Sequence, residues 1–182
     1  MKKLFILAIL IFSTSLIFAQ RQGRFNFSLG LETGYTAGPY AQRWNIGAGG
    51  TGQFEYFLED NVSITLLSGY IGYLGDNESS GLKYRSITIV PLKAGARFYL
   101  GRNLHIGGEF GAGFLGNGGS HTTAFAYSPI IGVSFKTLDN ERQRGGVDIS
   151  IKYDGYTFNK NDIPNGLGNT FGAVGLRVSY IF

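Results

Sequence analysis

Apolar and polar residues alternate along most of the chain from Phe25 to Phe182, in eight stretches. Phe25, Phe27, Leu29 and Leu31 alternate with Asn26, Ser28, Gly30 and Glu32. Trp44, Ile46, Ala48, Phe54, Tyr56 and Leu58 alternate with Asn45, Thr51, Gln53 and Glu55, and Val62, Ile64, Leu66 and Tyr70 with Ser63, Thr65 and Gly69. Val90 to Leu100, Leu104 to Phe114, Phe125 to Phe135, Val147 to Tyr153 and Gly172 to Tyr180 keep the same rhythm. A period of two is that of a strand with unlike faces, not of a helix. Each stretch runs about ten residues or more, enough for a tilted strand to cross a bilayer. The pattern predicts an all-β fold: an eight-stranded, antiparallel, up-and-down transmembrane β-barrel with a side-chain-filled interior.

Ile87 and Ile89 fall on the polar parity of their stretch, which predicts a bulge near Val90-Pro91. Glu59-Asp60-Asn61 and Gly101-Arg102-Asn103 read as tight turns. Thr36 to Arg43, Leu74 to Lys83, Gly116 to Thr123 and Thr157 to Gly168 read as longer loops on the opposite side, and Lys136 to Gly145 as a longer charged connection on the side of the tight turns.

Residues 1–20 form a different kind of segment. Met1-Lys2-Lys3 is basic, Leu4 to Phe12 is apolar, and Ser13-Thr14-Ser15 interrupts the run before Leu16 to Ala19. That is the build of a cleaved secretory signal peptide, shorter than the roughly 20 apolar residues of a spanning helix. Residues 21–182 are then the barrel domain. Removing Lys2 and Lys3 lowers the formal charge from +4 to about +2, so the basic balance does not point to nucleic acid.

Charge sharpens the picture. Ten charged residues lie within the stretches: Glu32, Glu55, Arg85, Lys93, Arg97, Glu109, Asp148, Lys152, Asp154 and Arg177. All sit on the face opposite the apolar one, five of each sign. A cation facing lipid near midplane costs about 2–4 kcal/mol, which explains the exclusion. Enclosed charges of balanced sign predict an interior ion network of Glu32, Glu55, Lys93, Arg97, Glu109, Asp148, Lys152 and Arg177. If Leu100 faces Leu104, Gly107 faces Arg97 and Gly95 faces Glu109. Glu109 then lies diagonal to both Lys93 and Arg97, and the glycines make room for it. Outward aromatics fall into two bands: Phe25, Tyr56, Phe98, Phe135, Tyr180 and Phe182 near one end, and Tyr35, Trp44, Tyr70, Phe114, Phe125 and Tyr153 near the other.

Cysteine is absent, which removes disulfides and thiolate chemistry. The two histidines, His105 and His121, have no zinc spacing, and His105 is about 13 Å along a strand from Glu109, too far for a dyad. Gly47-Ala-Gly-Gly-Thr-Gly lies inside a strand pattern and precedes no helix, so it is no nucleotide loop. No catalytic, metal or cofactor residue emerges.

The alternating terminal strand ending on Phe182 resembles that of bacterial outer-membrane barrels, and the whole mature chain resembles the small barrels of the OmpA, OmpX and OmpW type. Ile89-Val90-Pro91-Leu92-Lys93-Ala94-Gly95-Ala96-Arg97-Phe98-Tyr99-Leu100 is similar to the central strand of the outer-membrane β-barrel domain of Bacteroidota, which includes PorT-like proteins. The resemblance implies a monomeric outer-membrane protein in contact with lipid and lipopolysaccharide. It also implies that Val178, Tyr180 and Phe182 form the signal read by the barrel-assembly machinery. Activity does not follow from fold. Three classes stay open: a structural or partner-binding protein touching lipid or an envelope partner through its loops (Asp76, Glu78, Lys160, Asp162), a narrow gated channel, and a lipid-modifying enzyme.

Overall fold

The computed structural model describes residues 25–75, 86–101, 103–117, 120–139, 142–158 and 169–182. Eight strands follow in order: β1 (Phe25–Ala37), β2 (Trp44–Glu59), β3 (Val62–Gly75), β4 (Ile87–Leu100), β5 (Leu104–Asn117), β6 (Ser120–Asp139), β7 (Arg142–Thr157) and β8 (Thr170–Ile181). Each pairs antiparallel with its neighbours in sequence, and β1 closes on β8 from Ser28↔Ile181 to Ala37↔Gly172. Closure leaves no sheet edge along the wall.

Alternation sorts the side chains into wall and lumen. Leu31, Tyr70 and Phe110 stand 75, 60 and 62 % exposed on the outer face, whereas Lys93, Asp148 and Arg177 inside are at most 1 % exposed. A water-soluble sheet would cover such an outer face with charge. Phe25, Phe98, Phe135, Tyr180 and Phe182 point outward at the end bearing both termini of the barrel, and Tyr35, Tyr70, Phe114 and Phe125 point outward nearer the opposite end, the mouth.

Several local expectations are corrected. Trp44 does not join the outer band: the β2–β3 register breaks between Trp44 and Gly47, and the indole is buried inside the mouth. Nor is there a bulge at Val90-Pro91. The β4–β5 register runs unbroken from Thr88↔Gly116 to Leu100↔Leu104, and Ile87 and Ile89 are lumen residues in a lumen that is apolar at that height. Gly116 to Thr123 is no long loop, because the β5–β6 ladder continues to Asn117↔Ser120. Lys136 to Gly145 is likewise mostly ladder, reaching Asp139↔Arg142 after a register shift. Thr36 to Arg43 splits into the end of β1 and a one-turn 3₁₀ helix, Gly38–Gln42. Residues 1–24, residues 76–85 with Asp76, Glu78 and Arg85, and residues 159–168 with Lys160 and Asp162 lie outside the described residues.

Candidate functional site

The lumen holds two unlike regions. On the terminus side, charged and hydroxyl side chains from all eight strands meet. Lys93 of β4 donates from Nζ to Asp154 Oδ1 and Ser128 Oγ, both at 2.7 Å, and Ser128 donates to the same carboxylate oxygen. Glu109 Oε2 stands 3.4 Å from Lys93 Nζ. Lys152 Nζ reaches across to Glu32 Oε1 and lies 3.2 Å from Asp154 Oδ2. A chain of alternating sign therefore runs Glu109–Lys93–Asp154–Lys152–Glu32, from β5 through β4 and β7 to β1. Room for it comes from glycine: a Cβ on Gly95 would lie 2.7 Å from Glu109 Cγ and 2.3 Å from a backbone oxygen.

A second group centres on Asp148. Its Oδ2 takes Ser134 Oγ at 2.6 Å, faces His105 Nε2 at 2.7 Å and stands 3.5 Å from Arg97 Nη1. Arg97 thus turns to Asp148 and, through Nη2, to Gln53 Oε1 at 2.9 Å, not to Glu109 as the register alone suggested. Arg177 is solvated by hydroxyls: Nε donates to Thr51, Nη1 to Ser179 and Nη2 to Ser28, while its Nη1 is 3.9 Å from Asp148 Oδ1. Glu55 is held by neutral donors: Ser63 and Tyr99 at 2.7 Å and Asn26 at 3.3 Å. In a low-dielectric interior each such charge needs an opposite charge or a polar donor or acceptor nearby, and each has at least one, although Arg97 Nε and Glu32 Oε2 are left without a hydrogen bond.

Chemically, the Asp148 group has the residue types of a hydrolase but not the wiring. Ser134 donates to the carboxylate, whereas nucleophilic catalysis needs the hydroxyl paired with the imidazole. His105 and Ser134 are both fully buried. The side chain of His121 lies outside those described.

Toward the mouth the lumen becomes apolar. Tyr40, Trp44, Ile71, Tyr73, Ile87, Ile89, Ala124, Ala126, Tyr156, Phe171 and Ala173 form one buried cluster. Phe171 is its hub, with ring centroids 5.0 Å from Tyr73, 5.5 Å from Tyr40, 6.2 Å from Tyr156 and 6.5 Å from Trp44. Tyr73 and Tyr156 sweep along the wall over glycines: a Cβ on Gly47 or Gly113 would come within 2.5 Å of their rings. Reasoning from alternation missed this layer, because it treated inward apolar residues as phase errors. The signal was present in Tyr70-Ile71-Gly72-Tyr73 and Ile87-Thr88-Ile89-Val90, where both parities are apolar near a strand end.

On the outer wall Val178, Tyr180 and Phe182 are exposed. Val178 and Tyr180, with Leu29, Leu31 and Val147, line a shallow apolar groove over the β1–β8 junction. Phe182 lies beyond it, its ring 5.0 Å from Tyr180 and its N–H bonded to Phe27 O at 2.8 Å.

No family model matches the chain, and no curated protein matches it in sequence. Solved structures match its shape. Neisserial surface protein A superposes with a TM-score of 0.54 at 14% identity, over 86% of this chain and 95% of that one. Ail, the attachment invasion locus protein of Yersinia pestis, gives 0.51 at 16% identity, over 88% and 99%. The fold is that of small outer-membrane barrels. OprG from Pseudomonas aeruginosa matches with a TM-score of 0.50 at 12% identity, over 88% of this chain and 96% of that one.

Proposed function

We propose that this chain is exported by a cleaved leader, residues 1–20, and inserted as a monomer into the outer membrane of a Gram-negative cell of the Bacteroidota kind. There it serves a structural or surface-interaction role without catalysis. One observation carries this reading: apart from Glu59 at the very end of β2, the described charged side chains within the strands are buried in the lumen, while large apolar side chains stand exposed all round the outside. In water such a surface would aggregate; in lipid it is the favourable solvent contact. Lipid and lipopolysaccharide are then the immediate partners. An envelope protein would be met at the mouth loops, and Val178, Tyr180 and Phe182 would be presented to the barrel-assembly machinery. A basic nucleic-acid face has no support in the charge pattern.

The experiment is to refold the full chain into phospholipid vesicles and digest it from outside. The barrel is expected to resist protease and to migrate differently on gels before and after boiling. Loss of the protein with the soluble fraction would end the reading. In planar bilayers the protein is expected to be electrically silent, because both lumen regions are filled; steady single-channel steps would replace the structural role with the channel.

A further inference from the structure

We propose that the mouth of the lumen is a binding site for a small, ring-sized apolar molecule carrying one hydrogen-bonding group, and that Tyr40 occupies it as the protein's own lid. This site lies apart from the ion network and adds to the structural role.

Among the described residues, Tyr40 is the one member of the apolar cluster that does not come from a strand. It hangs on the one-turn helix Gly38–Gln42, between the last β1 residue and Arg43. Gly38 has φ +77°, and nothing lies within 4 Å of where its Cβ would be. The backbone bond here, Arg43 N–H to Tyr40 O at 3.0 Å, lies within the turn itself, so displacing Tyr40 breaks no strand ladder. The phenol ring is seated as a ligand would be: stacked on Trp44 at 6.0 Å and 25°, edge-on to Phe171 at 5.5 Å and 71°, with Phe158 at 6.3 Å. Its hydroxyl is not so well served. Tyr40 Oη is buried without a hydrogen-bond partner, and so are Thr36 Oγ1 and Tyr156 Oη in the same region. Thr36 is 0 % and Tyr156 1 % exposed, and they sit in register with Ala173 and Phe171 of the cluster.

An apolar, aromatic recess with a few unsatisfied polar groups, at the mouth of a barrel, is the usual make-up of a small-molecule site. The ring of Tyr40 satisfies the apolar part, and its hydroxyl leaves the polar part unmet. A molecule that fills the same place and pairs with Thr36 or Tyr156 gains what the lid lacks. Below the cluster the ion network fills the lumen, so the recess is blind: it holds its occupant and does not pass it through.

Trp44 is the chain's single tryptophan and touches the lid, so its emission reports on the recess. The full chain in detergent micelles is titrated with 4-methylcyclohexanol and, separately, methylcyclohexane. Tyr40→Ala is expected to show a saturable change in Trp44 emission with 4-methylcyclohexanol at an apparent affinity about tenfold or more above that of the wild type, which must first displace its lid. Tyr40→Phe, which keeps the cover and drops the unpaired hydroxyl, is expected to bind several-fold more weakly than the wild type. Methylcyclohexane is expected to bind several-fold more weakly. Identical curves for wild type and Tyr40→Ala would mean partition into the micelle and would overturn the proposal, as would no saturable response. Tyr40→Val is carried in parallel, with folding checked by gel mobility before and after boiling. Should both variants fail to fold, Tyr40 is indispensable core and not a lid, and the proposal falls. The measurement is made in detergent, so it does not depend on the membrane assignment.

Discussion

The terminus half of the lumen and its mouth fill the same cylinder by opposite means. The first half is held by directional polar contacts: Asp148 Oδ2 alone meets Ser134, His105 and Arg97, and Lys93 bridges two carboxylates and a serine, although some buried polar atoms there, Arg97 Nε and His105 Nδ1 among them, also lack a hydrogen-bond partner. The mouth is held by ring contacts around Phe171 and leaves hydroxyls on Thr36, Tyr40 and Tyr156 unpaired. Directional bonds penalise any displacement, because a stranded charge in a dry interior is costly. Aromatic packing is less demanding of angle and tolerates exchange of one ring for another. The same barrel thus has a rigid plug on one side and a replaceable filling on the other.

Substitutions can break that contrast. Asp148→Ala takes the carboxylate away from Arg97, Arg177, His105 and Ser134 and is expected to lower stability most, by about 3–5 kcal/mol, in urea unfolding from vesicles. A loss below about 1 kcal/mol would mean that the group is not dry and that the plug is no plug. Phe171→Ala removes the hub of the mouth and is expected to cost about 3 kcal/mol. Combined with Asp148→Ala, its effect should add within about 0.5 kcal/mol, since the two residues share no partner. Strong coupling would merge the two regions into one.

Ser128→Ala deletes a hydroxyl that bridges Lys93 and Asp154, and a loss of about 1.5–3 kcal/mol is expected by the same unfolding assay. The smallest effect has the opposite sign. Tyr40→Phe discards a buried, unpaired hydroxyl and is expected to stabilise by about 1 kcal/mol. A destabilisation there would show that the hydroxyl has a partner and would remove the contrast at the mouth.

Strand identity, sidedness and neighbour register were readable without coordinates. Parity is a property of one strand at a time, and a short turn such as Leu100 to Leu104 leaves little choice of pairing. The Lys93–Glu109 contact belongs to that local level, because it joins adjacent strands. The contact of Arg97 with Asp148 does not: β4 and β7 are not neighbours in the wall, and their side chains meet only across the closed lumen. Which ions meet there depends on the tilt and stagger of all eight strands together. Trp44 turned inward for a similar reason, since the break in register at the top of β2 follows from how β2 meets β3 and not from its own pattern. The chain alone therefore determined which side chains face lipid and which face the lumen. Closure of the cylinder decided which of the enclosed groups touch, and set the height at which a polar lumen gives way to an apolar one.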